Sequence, residues 1–123
     1  MILEILPNEF SVCKTSSIPA LPEGISFLAR TDKEISLVCE SRKIDFETTA
    51  REDSWRCMRV RGELDFSLIG ILASITDVLA NANISVFCVS TYDTDYILVK
   101  SADLKNAIDA LSAAGYKTED ACL

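Results

Sequence analysis

Histidine is missing from the chain altogether, and with it go Ser-His-Asp and Cys-His nucleophilic catalysis and every imidazole-based metal site. Cysteine is present as Cys13, Cys39, Cys57, Cys88 and Cys122, but no two have the C-x-x-C spacing of a redox pair or a zinc site. Lacking a neighbouring base, these thiols read as small hydrophobes inside apolar runs, with Cys122 near the chain end the exception. No apolar run approaches the roughly 18 residues of a membrane-spanning helix. Residues 1–4 carry no basic n-region of the kind that opens a signal peptide, so the expected location is cytoplasmic, away from any membrane. The 12 Lys and Arg are outnumbered by 19 Asp and Glu and are scattered, which leaves no basic footprint for nucleic acid. With no nucleophile–base pair, metal cluster or phosphate-cradling glycine loop, the chain is expected to be no enzyme and to need no cofactor.

What is present suffices for a core: 123 residues, 49% of them apolar. The second half is the more regular. Residues 55–61 read as a strand and residues 66–82 as a helix, with Asp65 placed as its N-cap. Leu68, Leu72, Ile75 and Leu79 make that helix's apolar stripe, and Ser67, Gly70, Ser74, Asp77 and Asn81 the opposite one. Asn83 suits the left-handed residue that ends a helix. Residues 84–89 and 96–99 are β-branched and aromatic runs around Ser90-Thr91-Tyr92-Asp93-Thr94-Asp95, the pattern of an antiparallel hairpin. Residues 103–113 form a second helix, with Ser101 as N-cap and Gly115 beyond its end, and a short strand closes the chain. The order strand, helix, strand, strand, helix, strand is the ferredoxin-like βαββαβ arrangement, an α+β fold.

The first half is strand-rich. Residues 2–6 and 10–14 flank Pro7-Asn8-Glu9 and read as a hairpin. Residues 25–30 and 35–40 flank Thr31-Asp32-Lys33-Glu34 and read as a second. Between them, Pro19, Pro22 and Gly24 exclude more than one helical turn. Phe27-Leu28-Ala29-Arg30-Thr31-Asp32 aligns with Phe87-Cys88-Val89-Ser90-Thr91-Tyr92, and Ser36-Leu37-Val38 with Ile97-Leu98-Val99 one residue out of step. An internal repeat is therefore expected.

The stretch Gly62-Glu63-Leu64-Asp65-Phe66-Ser67-Leu68-Ile69-Gly70-Ile71-Leu72, followed by the hairpin sequence through Thr94-Asp95-Tyr96-Ile97-Leu98-Val99, resembles an ACT domain. Within that family the chain is similar to the small bacterial tandem ACT proteins related to the CASTOR arginine sensors of animals. The resemblance implies a shortened, degenerate ACT-like unit over residues 1–53 and an ACT domain over residues 54–123. It also implies regulation by a bound free amino acid at an interface between ACT units. Carried onto this sequence, the family's ligand loop falls on Asp65, Phe66, Ser67, Leu68, Ile69 and Gly70, with Ser90, Thr91, Thr94 and Asp95 of the hairpin turn as further candidates. With only two units, one shortened, a complete site calls for a second chain, hence an expected homodimer, with room for a regulated protein partner.

The chemistry of these residues is compatible with that implication. A helix N-terminus presents free N–H groups and a partial positive charge, so the amides of residues 67–70 could receive a carboxylate. Glu63, Asp65, Asp93 and Asp95 could meet an ammonium. Simpler readings stand beside these: Asp65 as a plain cap, Gly62 and Gly70 as turn or close-packing residues, Asp93 as a turn former. Asp95, at the head of an otherwise apolar strand, needs either a function or a turn hydrogen bond to explain it. The alternative to a ligand-binding regulator is a structural or adaptor module that uses the same fold to hold another protein and takes no small molecule.

Overall fold

A computed structural model describes residues 1–62 and 69–122. The chain forms two compact units, Met1–Pro7 with Arg56–Leu123, and Asn8–Trp55. The long strand β5 (Ala50–Val60) contributes to both.

The first of these units carries the βαββαβ run: the end of β5, α1 (Ile71–Asn81), β6 (Val86–Ser90), β7 (Asp95–Lys100), α2 (Leu104–Ala113) and β8 (Lys117–Asp120). To these it adds β1 (Ile2–Ile5), the first strand of the chain. The order across the sheet is β8-β1-β5-β7-β6. β1 lies between the first and last strands of the run, antiparallel to β5 with Glu4 opposite Arg59, and parallel to β8 with Glu4 opposite Glu119.

Strand alternation then decides which face is apolar. Leu3 and Ile5, Met58 and Val60, and Ile97 and Val99 form one buried cluster with Ile75 and Leu79 of α1 and Ala107 and Leu111 of α2. Both helices therefore cover the same face. Burying one Leu or Ile in such a layer stabilises by about 1.5–3 kcal/mol. The intervening residues carry charge. The Nε of Arg59 donates to Glu4 Oε1 at 3.0 Å, Arg61 reaches Glu4 at 3.5 Å and Glu119 at 2.6 Å, and the Arg59 guanidinium lies 5.9 Å from the centre of the Tyr96 ring.

Helix α1 begins later than its periodicity suggests. Gly70 has φ 77°, a left-handed conformation that no helix passes through, so the first helical residue is Ile71. Of the expected earlier start, Asp65 and residues 66–68 lie outside the described residues. The stripe beyond Gly70 is as read: Ile75 and Leu79 are buried, Leu72 packs against the core, and Ser74, Asp77 and Asn81 are exposed. Asn83 ends the helix at φ 60°. Ser101, expected to cap α2, opens a 3-10 turn over Ser101–Asp103, and Asp103 precedes the helix without a side-chain capping bond.

The second unit contains β2 (Phe10–Thr15), β3 (Ser26–Arg30), β4 (Ile35–Glu40) and the start of β5, in the order β3-β4-β2-β5. β3 and β4 form the expected hairpin. Residues 2–6 and 10–14 do not pair as the expected hairpin: β1 pairs with β5 and β8, and β2 with β4 and β5. The positive φ of Asn8, 71°, turns the chain between them.

No α-helix is present among the unit's residues. Its buried apolar residues are Phe10, Cys13, Leu37, Val38, Cys39 and Trp55, joined by the polar Ser11, Thr15 and Glu40. Ser11, fully buried, donates to Asp53 Oδ1 at 2.5 Å and shares a hydrogen bond with Ser41 at 2.6 Å, while Arg51 Nε donates to Asp53 at 2.6 Å. Glu40 accepts from the Asn8 amide at 3.2 Å and from Arg42 Nε at 3.3 Å.

The thiols follow the pattern read from sequence at both extremes. Cys13, Cys39 and Cys57 are buried, Cys88 is half-buried and Cys122 is exposed. Burial pushes Cys39 up to about 11 and Cys57 up to about 12, so neither is a thiolate at neutral pH.

Candidate functional site

One end of the βαββαβ unit gathers several backbone termini, and the pairing register explains why. β1 and β8 run parallel with Ile2 opposite Lys117, so Met1 and Tyr116 emerge side by side, and the Lys117 amide donates to Met1 O at 3.2 Å. The Arg61 amide donates to Ile2 O at 3.0 Å, which brings the end of β5 to the same place. Ile69 lies at this end too, and the chain turns at Gly70 into α1.

Met1, Ile69, Gly70, Ile71, Ser74 and Tyr116 line a cleft of about 260 Å³ there, open to solvent. Four of these six residues offer large apolar surface. The first intrahelical bond of α1 runs from the Ser74 amide to Gly70 O at 2.9 Å, so the amides of Ile71, Leu72 and Ala73 have no acceptor within the helix itself. Gly70 has no side chain to cap them, and the first turn holds no acidic residue. The helix dipole therefore faces the cleft end without a neutralising carboxylate from its own first turn.

The expected site residues distribute as follows. Ile69 and Gly70 line the cleft. Asp65, Phe66, Ser67 and Leu68 lie outside the described residues. Ser90, Thr91, Thr94 and Asp95 sit in and beside the β6–β7 turn, which the Thr94 hydroxyl, buried, ties to the end of β5 by donating to Val60 O at 2.8 Å. Each has a partner inside the hairpin or strand. Ser90 Oγ donates to Asp95 Oδ1 at 2.5 Å. Thr91 closes the turn, its amide donating to Thr94 O at 2.9 Å and its hydroxyl to the same oxygen at 3.1 Å. The Ser90 bond supplies the turn hydrogen bond that an Asp at the head of an apolar strand calls for.

Among the described residues, a Cβ at Gly62 or at Gly70 would meet no atom within 4 Å, so no close packing between them explains either glycine. Their positive φ values, 89° and 77°, account for them as turn residues. Met1, Tyr116 and Ser74 were not legible as site residues. Only the insertion of β1 beside β8 brings Met1 to the cleft, and no local sequence signal announces that pairing. Among the described residues no group of three or more acidic, His or Cys side chains could hold a metal ion, and no helix is long and apolar enough to cross a membrane.

Comparison with known proteins agrees with this fold. Residues 50–113 match the ACT domain family model. The human protein named cytosolic arginine sensor for mTORC1 subunit 1 is 35% identical over 65 residues, which make up 52% of this chain and 20% of that protein; its counterpart in Bos taurus matches equally. The match thus spans about a fifth of the curated relatives' length. Among solved structures, protein Atu0741 of Agobacterium tumefaciens is 31% identical, with 99% of this chain and 94% of that chain covered and a TM-score of 0.86. An aspartate kinase of Clostridium acetobutylicum shares the fold at 14% identity and a TM-score of 0.63, over 91% of this chain and 33% of the kinase. A βαββαβ sheet with both helices on one face, matched by a family model over more than half its length, makes this chain a member of the ACT-domain family.

Proposed function

We propose that the chain is a non-enzymatic regulatory protein that binds a free amino acid at the N-terminal end of α1 and works as a homodimer. The observation that carries the reading is the cleft lined by Ile69, Gly70, Ile71 and Ser74, beside the first-turn amides of a helix whose N-cap, Gly70, has no side chain. Amides at a helix N-terminus suit a carboxylate, and the curated relatives are named as arginine sensors. The ligand loop implied by the family resemblance, residues 65–70, leads directly into this helix. The cleft is open, and Ile69 is 95% exposed, so a second copy would complete it. In the same reading residues 54–123 are the ACT domain and residues 1–53 a degenerate duplicate, whose first strand has been recruited beside β5 and β8.

The test is a thermal-shift screen of the whole chain against the free amino acids, with its mass measured by light scattering. A ligand at 100 times its dissociation constant adds about 2.7 kcal/mol, which is visible as a raised melting point. A dimer mass and at least one stabilising amino acid are expected. A panel in which none stabilises would favour the adaptor reading instead.

A further inference from the structure

We propose that residues 18–22 form a polyproline-type ridge that docks into an aromatic-lined groove on a partner protein. The topology first requires this stretch to be extended. β2 and β3 both run antiparallel to β4, so they are parallel to each other, and residues 16–25 alone carry the chain from one to the other. Ser11 and Ser26 stand opposite the same residue, Cys39, so the connection climbs back about 13 Å along the strands and crosses about 10 Å of sheet. A helix made of all these residues would be only about 15 Å long, with nothing left to lift it off the sheet and return it. Extended chain, at about 3 Å per residue, covers the path.

Proline chemistry then selects the kind of extended chain. Pro19 and Pro22 fix their own φ, and each turns the residue before it, Ile18 or Leu21, away from helical backbone. Among the described residues no backbone-to-backbone hydrogen bond involves residues 18–22, as in polyproline II, whose backbone is left to water. Burial repeats at every third residue: Pro19, Pro22 and Ile25 are half-buried, while Ile18, Ala20, Leu21 and Glu23 are exposed. That is the three-residue turn of polyproline II. With the prolines turned inward, Ile18 and Leu21 fall on one outward ridge, 47% and 55% exposed. Both ends are tied down, the Thr15 hydroxyl donating to Ser17 O at 2.9 Å and the Lys43 ammonium to Glu23 O at 2.7 Å.

Shape and charge together identify the occupant. A preformed ridge of this kind loses little freedom on binding, and grooves lined by aromatic rings accept it. Large apolar side chains exposed one turn apart are the groups such a groove removes from water. From residue 16 to residue 29 the sole charged residue is Glu23, and the Lys43 charge at the same end is met by Glu40 at 3.5 Å. A cation at the rim of the groove therefore completes the match.

The experiment titrates the whole chain, isotopically labelled, with a set of purified SH3 and WW domains and follows its amide signals by NMR. At least one domain should bind and shift the signals of Ile18, Ala20 and Leu21. Leu21→Asp should weaken that binding by about tenfold or more, because it brings an unpaired carboxylate into an apolar groove. Tyr92→Ser, at an exposed turn of the other unit, should leave it unchanged. Replacing Pro19 and Pro22 with alanine keeps the apolar ridge but frees the unbound segment, and should weaken binding about twofold to fivefold per proline. Absence of binding across the set, or binding that Leu21→Asp leaves intact, would overturn the proposal. So would a fall from dimer to monomer mass in Leu21→Asp by light scattering, since the ridge would then belong to an interface between copies of this chain.

Discussion

The hairpins β3–β4 and β6–β7 follow one plan at a constant offset of 60 residues. Ser26–Arg30 corresponds to Val86–Ser90, Ile35–Glu40 to Asp95–Lys100, and the 3-10 turn Ser41–Lys43 to Ser101–Asp103. Both turns are closed by a threonine: the Thr31 amide donates to Glu34 O at 2.9 Å, and the Thr91 amide to Thr94 O at 2.9 Å. The one-residue slip in the sequence alignment vanishes, because Leu37 and Ile97 occupy the same step of the two hairpins. What comes after the 3-10 turns differs. Leu104-Lys105-Asn106-Ala107-Ile108 continues as α2, with Ala107 and Leu111 buried on the sheet. Ile44-Asp45-Phe46-Glu47-Thr48-Thr49 forms no helix, its β-branched residues and alternation suiting extended chain better. One unit is therefore closed by helices on apolar strands, while the other relies on hydroxyl and carboxylate bonds around Ser11, Glu40 and Asp53. The same hairpin serves two ways of completing a core.

The largest effect expected from this contrast is on the helical side. Leu111→Ala empties a fully buried position where α2 meets the sheet and should cost about 2–5 kcal/mol, transfer and cavity terms together. Chemical denaturation at neutral pH reads it directly. A loss below 1 kcal/mol would mean that α2 contributes little to holding the ACT unit closed, and the contrast would fail.

A smaller effect belongs to the polar side, at Glu40, whose counterpart in the other hairpin is Lys100. Burial alone would raise the Glu40 carboxyl, but the Asn8 amide and the Arg42 guanidinium, helped by Lys43, hold it below its ordinary value of 4.5. A carboxylate depressed in the folded state contributes stability that is present above its unfolded value and is lost as pH falls through the folded one. The stabilisation should thus be complete at neutral pH and fade below about 4.5. Glu40→Gln should cost about 1.5 kcal/mol at pH 7, the low end for hydrogen bonds to a charged group because Arg42 remains 65% exposed. The variant should also show a flatter acid limb in urea unfolding. Parallel acid limbs for variant and parent would remove Glu40 from the account.

Much of the architecture was legible in the sequence because it is local. The β3–β4 and β6–β7 hairpins, the burial of Ile75 and Leu79, the left-handed Asn83 and the buried Cys13, Cys39 and Cys57 all follow from periodicity and turn chemistry. Two features were not. The periodicity reads as a helix through Gly70, whereas the glycine's positive φ puts the first residue of α1 at Ile71. The position of β1 depends on pairing partners more than 50 residues away, Val60 and Lys117, so Pro7-Asn8-Glu9 looked like a hairpin turn when it is a passage between different partners. The cleft shares that cause. Ile69 and Gly70 were visible as parts of a loop before a helix, whereas Met1 and Tyr116 reach it through the register of a parallel strand pair.

The smallest effect sharpens the comparison most, because it asks whether the two turns are equivalent. Thr31 Oγ1 accepts from the amides of Lys33 and Glu34, both at 3.1 Å, and Thr91 Oγ1 accepts from the Thr94 amide at 3.4 Å while donating to Thr94 O at 3.1 Å. These bonds are local and largely open to water, so replacing either threonine with the similarly shaped valine should cost about 0.5–1 kcal/mol. If both turns do only this work, Thr31→Val and Thr91→Val should lower stability by the same small amount and leave amino-acid binding unchanged. The β6–β7 turn has an addition that the other lacks: Ser90 and Asp95 are bonded to each other where Arg30 and Ile35 stand in the first hairpin. Asp95→Ala should therefore cost no more than about 1 kcal/mol in the free protein. Titration of that variant with the best-binding amino acid separates the two roles of the aspartate. Unchanged affinity would leave it a turn residue, and a loss of tenfold or more would make the second hairpin part of the ligand site and the first its unspecialised counterpart.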